Sequence, residues 1–258
     1  MENPFGKVSR VSLTAGPKEG RTILEDVGFT APFKIMQPFY EERMRVMLMS
    51  ASAGILAGDC QEFHIWVKKG ASMEFFSQSY EKIHKMNEGC AKRMAKIRVE
   101  DGGELIYRPL PTIPFAQSAF ESRLQVELGG TGAKMMLQEV LSCGRAASGE
   151  RFAYRFYYNL VEVRREGRLI YLDNTRFEPE RFSMEETGMY EGATHLANLV
   201  LFGYERDEEW FRKVRELVDG TEGVFGGASR LAEGDVVVRM LGGPAQKLED
   251  LLEVVREL

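Results

Sequence analysis

The sequence predicts a mainly β protein with about two α-helices toward its C-terminus, and three observations carry that prediction. Most of the chain consists of short runs of alternating apolar and polar residues closed by Gly, Asp or Asn turns, the pattern of half-buried strands. The segment RPLPTIPFAQSAF holds prolines at 109, 111 and 114, a spacing in which no helix survives. Convincing helical period occurs only twice, both times beyond residue 204.

In chain order, residues 8–13 and 22–27 form a strand pair around a turn punctuated by Gly16, Pro17 and Gly20. Strands at 43–49, 62–67 and 72–76 follow, and Lys69, Gly70 and Ala71 break the last two apart. Asp101, Gly102 and Gly103 divide strands at 94–99 and 105–107. The proline segment is an extended edge or connecting passage, because proline cannot donate to a central ladder. Residues 123–128 and 134–141 resume the strand pattern. Residues 152–163 read as a long aromatic strand, and 168–177 return from a Glu166-Gly167 turn as a hairpin. The first helix spans 207–218, with Trp210, Phe211, Val214, Leu217 and Val218 on one face and three acids in its first turn. Residues 223–240 form two strands around a turn near Glu233 and Gly234. Pro244 then opens a second helix whose buried stripe is Leu248, Leu251, Leu252 and Val255. No linker rich in Pro, Gly or Ser and no fixed-period repeat interrupts the chain. One domain over residues 1–258 is expected, with a looser α/β portion from about residue 204.

A net charge of 34 − 39 = −5 argues against nucleic-acid binding through net electrostatics. No apolar run approaches the ~20 residues that span a bilayer, and the N-terminus MENPFGKVSR lacks the apolar stretch of a secretory signal. Three cysteines, at 60, 90 and 143, make neither CxxC nor an even disulfide set, so a reducing, cytoplasmic setting is expected.

The most chemically dense stretch is AGILAGDCQEFHIWV, residues 53–67. As a strand after Gly58, it puts Cys60, Glu62, His64 and Trp66 on one face and Asp59, Gln61, Phe63, Ile65 and Val67 on the other. Thiolate, carboxylate and imidazole make Cys60, Glu62 and His64 a candidate set for a transition metal. A half-exposed polar strand face is the plainer interpretation, just as Gly58-Asp59 is ordinary turn chemistry. His84 reads as a surface histidine beside two lysines, and His195 as a packing or capping residue. Arg145 and Glu150, in CGRAASGERF, read as an internal ion pair holding a turn. Phosphate-loop, dinucleotide, GxSxG and HExxH patterns are all absent, so nothing strongly declares an enzyme.

Six stretches occur together in a recognisable order: FTAPFKIMQPFY, SAGILAGD, SQSYEKIHKM, PLPTIPFAQSAF, GRAASGERF and YLDNT. With these the chain resembles the urease accessory proteins of the UreD/UreH family, and looks most like the UreH form. The resemblance runs from about residue 22 to 202. It implies an elongated β-helix-like stack of many short strands, and a scaffold for urease maturation in place of catalysis. It further implies binding to apo-urease on one side and a UreF-type accessory protein on the other, with the UreG GTPase joining through UreF in a dimer of heterotrimers. No cofactor is then held tightly, and Ni²⁺ passes transiently, by an interior route. Carried over by position, the family's acids fall on Asp59, Glu139 and Asp173, which become the expected nickel path. Gly58, Lys82, Pro114, Arg145, Gly149 and Glu150 fall on motif positions with structural or partner-contact roles. Departures are the lost first glycine before Gly58-Asp59 and the altered centre of Lys82-Ile83-His84-Lys85. Two rival readings are a small β-helix hydrolase using Asp59 and Glu62, and a metal-binding module using Cys60, Glu62 and His64. Asp59 and Glu62 face opposite ways on a regular strand, which weighs against the first.

Overall fold

Period-two alternation governs the strands of one sheet, and the chain deals successive strands to that sheet and a second one facing it. The computed structural model describes residues 8–258; most of the N-terminal segment considered for a signal lies outside them. The strands β1 (Ser9–Lys18) and β2 (Arg21–Phe29) form the expected hairpin, and β3 (Phe33–Ile35) and β4 (Phe39–Tyr40) lead into β5 (Met44–Ser50). From there the chain coils. It passes through β6 (Cys60–Val67), β7 (Ser72–Ser77), the short β8 (Glu81–Ile83), β9 (Ala91–Val99) and β10 (Glu104–Arg108). It continues through the short β11 (Thr112–Pro114), β12 (Ala119–Leu128), β13 (Lys134–Ser142) and β14 (Phe156–Arg165).

Each pass lays a strand parallel to the one before it. The first sheet has the order β15-β14-β12-β9-β6-β1-β2, where β15 is Arg168–Phe177 and returns antiparallel on β14. In the second sheet β5, β7, β10 and β13 are parallel neighbours. The short β8 and β11 pair in parallel, and β11 also touches β13. The proline segment is thus partly a short strand: Thr112–Pro114 pairs with Glu81–Ile83. This coiled, two-sheet architecture is the mainly β, β-helix-like stack that the sequence led us to expect.

The C-terminal portion extends the second sheet. After β16 (His195–Phe202) come α1 (Glu208–Asp219), β17 (Phe225–Arg230), β18 (Val236–Gly242) and α2 (Ala245–Glu257). Here β16 pairs antiparallel with β13, and β18 with β16. Both helices cover the outer face of this sheet, where Trp210, Val214, Leu248 and Leu252 pack on Met136, Leu199 and Val238. That cover explains β13, KMMLQEVLS, which is nearly continuously buried because it has protein on both faces. Asp207 caps α1, its carboxylate accepting the Trp210 N–H at 2.9 Å. Replacing Asp207 by Ala should cost about 1 kcal/mol, readable as a lower urea midpoint with an unchanged m-value.

Strand ends differ from expectation: β1 runs through Gly16 and Pro17 to Lys18, β9 and β12 begin earlier, at Ala91 and Ala119, and β14 begins later. The strand predicted to begin at residue 152 begins at Phe156. Phe152 has φ +49°, outside the extended region, and its N–H is taken by the Cys143 carbonyl. Tyr154 is buried in the bend that follows.

Candidate functional site

Strand alternation decides which side chains enter the space between the sheets. In the first sheet the inward residues include Phe63, Ile65 and Val67 on β6, Ala95, Ile97 and Val99 on β9, and Leu124, Val126 and Leu128 on β12. Two residues before each run, at the same parity, stands a polar residue: Gln61, Arg93 and Ser122. Asn159 holds the equivalent place before Val161 and Val163 on β14. The register aligns these residues side by side, as Ser9, Gln61, Arg93, Ser122, Asn159 and Thr175 across six adjacent strands. One polar rung therefore crosses the apolar interior, perpendicular to the strands. On the facing sheet Glu139 shares the inward parity of Met135 and Leu137, and its register partner is Asn198, next to Arg239 on β18.

Two cavities follow this rung. One, of about 270 Å³, is lined by Asp59, Gln61, Ser77, Ser79, Lys82 and Phe33, among others. The second, of about 60 Å³, is lined by Glu139, Asn159, Ser122, Thr175 and Asn198, among others. Their walls share Glu81, Arg93, Tyr107 and Pro109.

The three acids are spread along this interior. Asp59 ends the Gly58 turn, where Gly58 has φ +77°, and its carboxylate accepts the Leu56 N–H at 2.8 Å while lining the larger cavity. Glu139 accepts both its hydrogen bonds from the Asn159 amide, at 3.1 and 3.3 Å. Burial pushes its carboxyl up to about 7; Asp173 adds to the shift, and the Asn159 hydrogen bond, Arg239 and Arg93 oppose it. Asn159 is only 8% exposed, and its Oδ1 has no partner among the described residues. Asp173 lies one hydrogen bond beyond the smaller cavity. It accepts from Thr175 Oγ1 at 3.0 Å and pairs with Arg239, which also donates to Asn198 at 2.8 Å.

The remaining motif residues have structural surroundings. Arg145 pairs with Glu150 (Nε–Oε2 2.8 Å) across the turn at residues 146–148 that Gly149 closes at φ +77°. Glu150 also accepts the Ala116 N–H at 3.1 Å, and Arg145 lies over the Phe115 ring, so this unit ties the proline segment to the end of β13. The guanidinium holds the Glu150 carboxyl below its ordinary range. Pro114 is buried at the end of β11, and Lys82 is exposed on β8. His84 departs from the surface reading: its ring packs edge-on against Phe115 and its Nε2 lies 2.9 Å from the Ala53 carbonyl. His195 opens β16 with Nδ1 2.8 Å from Thr194 Oγ1, and burial lowers its pKa to about 4, so it is neutral.

The outward face of β6 is arranged as alternation predicts, but it does not gather ligands. Glu62 is taken by Arg10 at 2.8 Å, and His64 and Trp66 lie in a groove of about 580 Å³ on the outer surface of the sheet. Same-face neighbours on one strand stand roughly 6.6 Å apart, too far for donors that must each lie about 2 Å from one ion without bending toward it. Among the described residues no group of three His, Cys, Asp or Glu side chains has a metal-holding arrangement, so Cys60, Glu62 and His64 are not brought together as a ligand set. Asp59 and Glu62 likewise point to opposite sides of the sheet, one inward and one outward, which removes the paired carboxylates that the hydrolase reading requires.

Among the described residues no helix is long and apolar enough to cross a membrane. Comparison with known proteins gives a consistent result. The family model described as "UreD urease accessory protein" matches residues 7–258, well beyond the stretch in which the six motifs lie. The chain is 38% identical over 261 residues to a urease accessory protein UreD of Acetivibrio thermocellus, covering 100% of this chain and 99% of that one. It is 30% identical over 259 residues to a urease accessory protein UreH of Helicobacter pylori strain J99, covering 99% and 96%. A UreH of Helicobacter hepaticus is 33% identical over 71% of this chain and 73% of its own length.

Proposed function

This chain belongs to the UreD family of urease accessory proteins, and from that premise we propose that it is a non-enzymatic maturation scaffold whose interior carries nickel. In this reading it bridges a UreF-type protein, with the UreG GTPase attached, to apo-urease in the cytoplasm, as a dimer of heterotrimers. Nickel enters on the Asp59 side and leaves past Glu139 and Asp173, and no cofactor stays bound.

The observation that carries the reading is the polar rung itself. A row of buried and half-buried Gln, Arg, Ser, Asn and Thr side chains, with a carboxylate facing it, disfavours a purely structural core. Oxygen ligands presented one or two at a time hold a divalent ion weakly, which suits an ion that must depart. The test is co-purification with UreF and apo-urease, followed by activation with nickel, GTP and UreG. Asp59→Ala should leave the complex intact and slow activation on the order of tenfold, the scale of one lost charged contact. Full-rate activation by alanine variants of Asp59, Glu139 and Asp173 within an intact complex would sink the route.

A further inference from the structure

Between the two cavities stands an ion pair that involves none of the three acids. Arg93 projects from β9 into the shared wall, with its side chain 11% exposed, and binds both oxygens of Glu81, one through Nη1–Oε2 at 2.6 Å. It also has a second, independent set of partners. Gln61 Oε1 accepts from Nε at 2.9 Å, and the rings of Phe63 and Phe120 flank the guanidinium with centroids 4.9 and 5.6 Å away.

We infer that Glu81 is a further carboxylate of the nickel route, held by Arg93 at rest and released to a divalent cation crossing from the larger cavity to the smaller. The inference rests on the interior-route reading above. Its physical basis is the double set of partners. Removing the counterion of a buried guanidinium ordinarily leaves a charge uncompensated, which would keep the carboxylate locked. Here Gln61 and two aromatic faces retain the cation when Glu81 turns away. At equal distance and dielectric, a divalent ion attracts Glu81 twice as strongly as the guanidinium does. Ser77 and Ser79 line the same cavity and supply neutral oxygens on the approach. Between crossings the closed pair is neutral overall and occupies the common wall, so neither cavity presents a free carboxylate there.

The experiment uses the complete accessory complex with apo-urease, nickel, GTP and UreG, and reads the activation rate together with thermal stability and co-purification. Glu81→Gln keeps an oxygen for Arg93 but loses the charge; it should assemble normally and slow activation on the order of tenfold, the scale of one charged contact. Glu81→Asp should restore most of the rate, which a purely structural clamp does not predict, since the shorter side chain spoils the two-point pairing. Gln61→Leu provides a second arm: with the alternative partner gone, Arg93 should hold Glu81 and activation should slow although Glu81 is intact. Wild-type rates for both Glu81→Gln and Gln61→Leu, with Asp59 and Glu139 variants still slow, would overturn the role of Glu81 and leave the route standing. Wild-type rates for all four would overturn the route and the inference together.

Discussion

Replacing Glu139 by Gln should make the protein more stable above neutral pH and at the same time much poorer at activating urease. Burial raises this carboxyl from 4.5 to about 7. Between those values the folded protein keeps a proton that the unfolded chain has released. Stability from this group is therefore complete below pH 4.5 and is lost as pH climbs through 7. At pH 8 the ionised, buried carboxylate costs about 3 kcal/mol, which the neutral amide avoids. Glutamine also brings a donor to Asn159 Oδ1, a buried acceptor without a partner among the described residues. We expect a rise in Tm of roughly 5 °C at pH 8 and little change at pH 4.5, checked by thermal scans across that range. Activation in an assembled complex should drop on the order of tenfold, because the amide cannot neutralise a passing cation. A variant equally stable at both pH values relative to wild type would show that Glu139 is not held above its ordinary range.

Asp235→Ala should be the most damaging substitution away from the interior route. Arg165, 7% exposed at the end of β14, binds both oxygens of Asp235, 4% exposed, at 2.9 and 3.0 Å. Asp235 also accepts the Gly203 N–H at 2.8 Å. This clasp ties the first sheet to the turn before β18 of the second. Removing the acid strands a buried guanidinium and a backbone donor, at a cost of about 3–5 kcal/mol, or roughly 10 °C in Tm. Glu233, the other partner of Arg165 at 2.9 Å, is more exposed, and Glu233→Ala should cost no more than about 1 kcal/mol. Urea denaturation separates the two. Equal effects would mean that burial does not set the strength of this clasp. The double change Arg165→Met with Asp235→Leu should recover much of the loss, since it leaves no buried charge unpaired and Glu233 keeps Arg168 at 3.1 Å.

These strands were legible because alternation is a local signal, and the two helices because their caps and stripes are local too. The first boundary of β14 was not, since Phe152 is apolar like its neighbours while its backbone turns left-handed. Alternation likewise put Glu62 and His64 on one face, and the structure keeps them there. What one strand cannot tell is whether same-face residues converge, and here Arg10 and solvent take them instead. The acids at Asp59, Glu139 and Asp173 entered through motif resemblance. Arg93 did not, because in AKRMAKIRV it follows Lys92 and looks like a surface charge. Its parity with Ala95, Ile97 and Val99 was the available clue. The same clue marks Gln61, Ser122 and Asn159, each preceding an apolar run by two residues. Because the coils between them differ in length, these residues fall at unequal intervals, and a search for a fixed period passes over them.

The polar rung crosses strands instead of following one, so its length is counted in turns of the coil. From Ser9 on β1 to Thr175 on β15 there are five strand-to-strand steps, or roughly 24 Å at ~4.8 Å each. Extra residues in the loops would leave that distance unchanged, since they add nothing to the stacking direction. A one-residue shift within any strand would instead replace its polar member by a neighbour of opposite parity and interrupt the row. The gauge of the interior is thus digital: a descendant protein could lengthen it only by inserting a whole coil with its own polar residue in register.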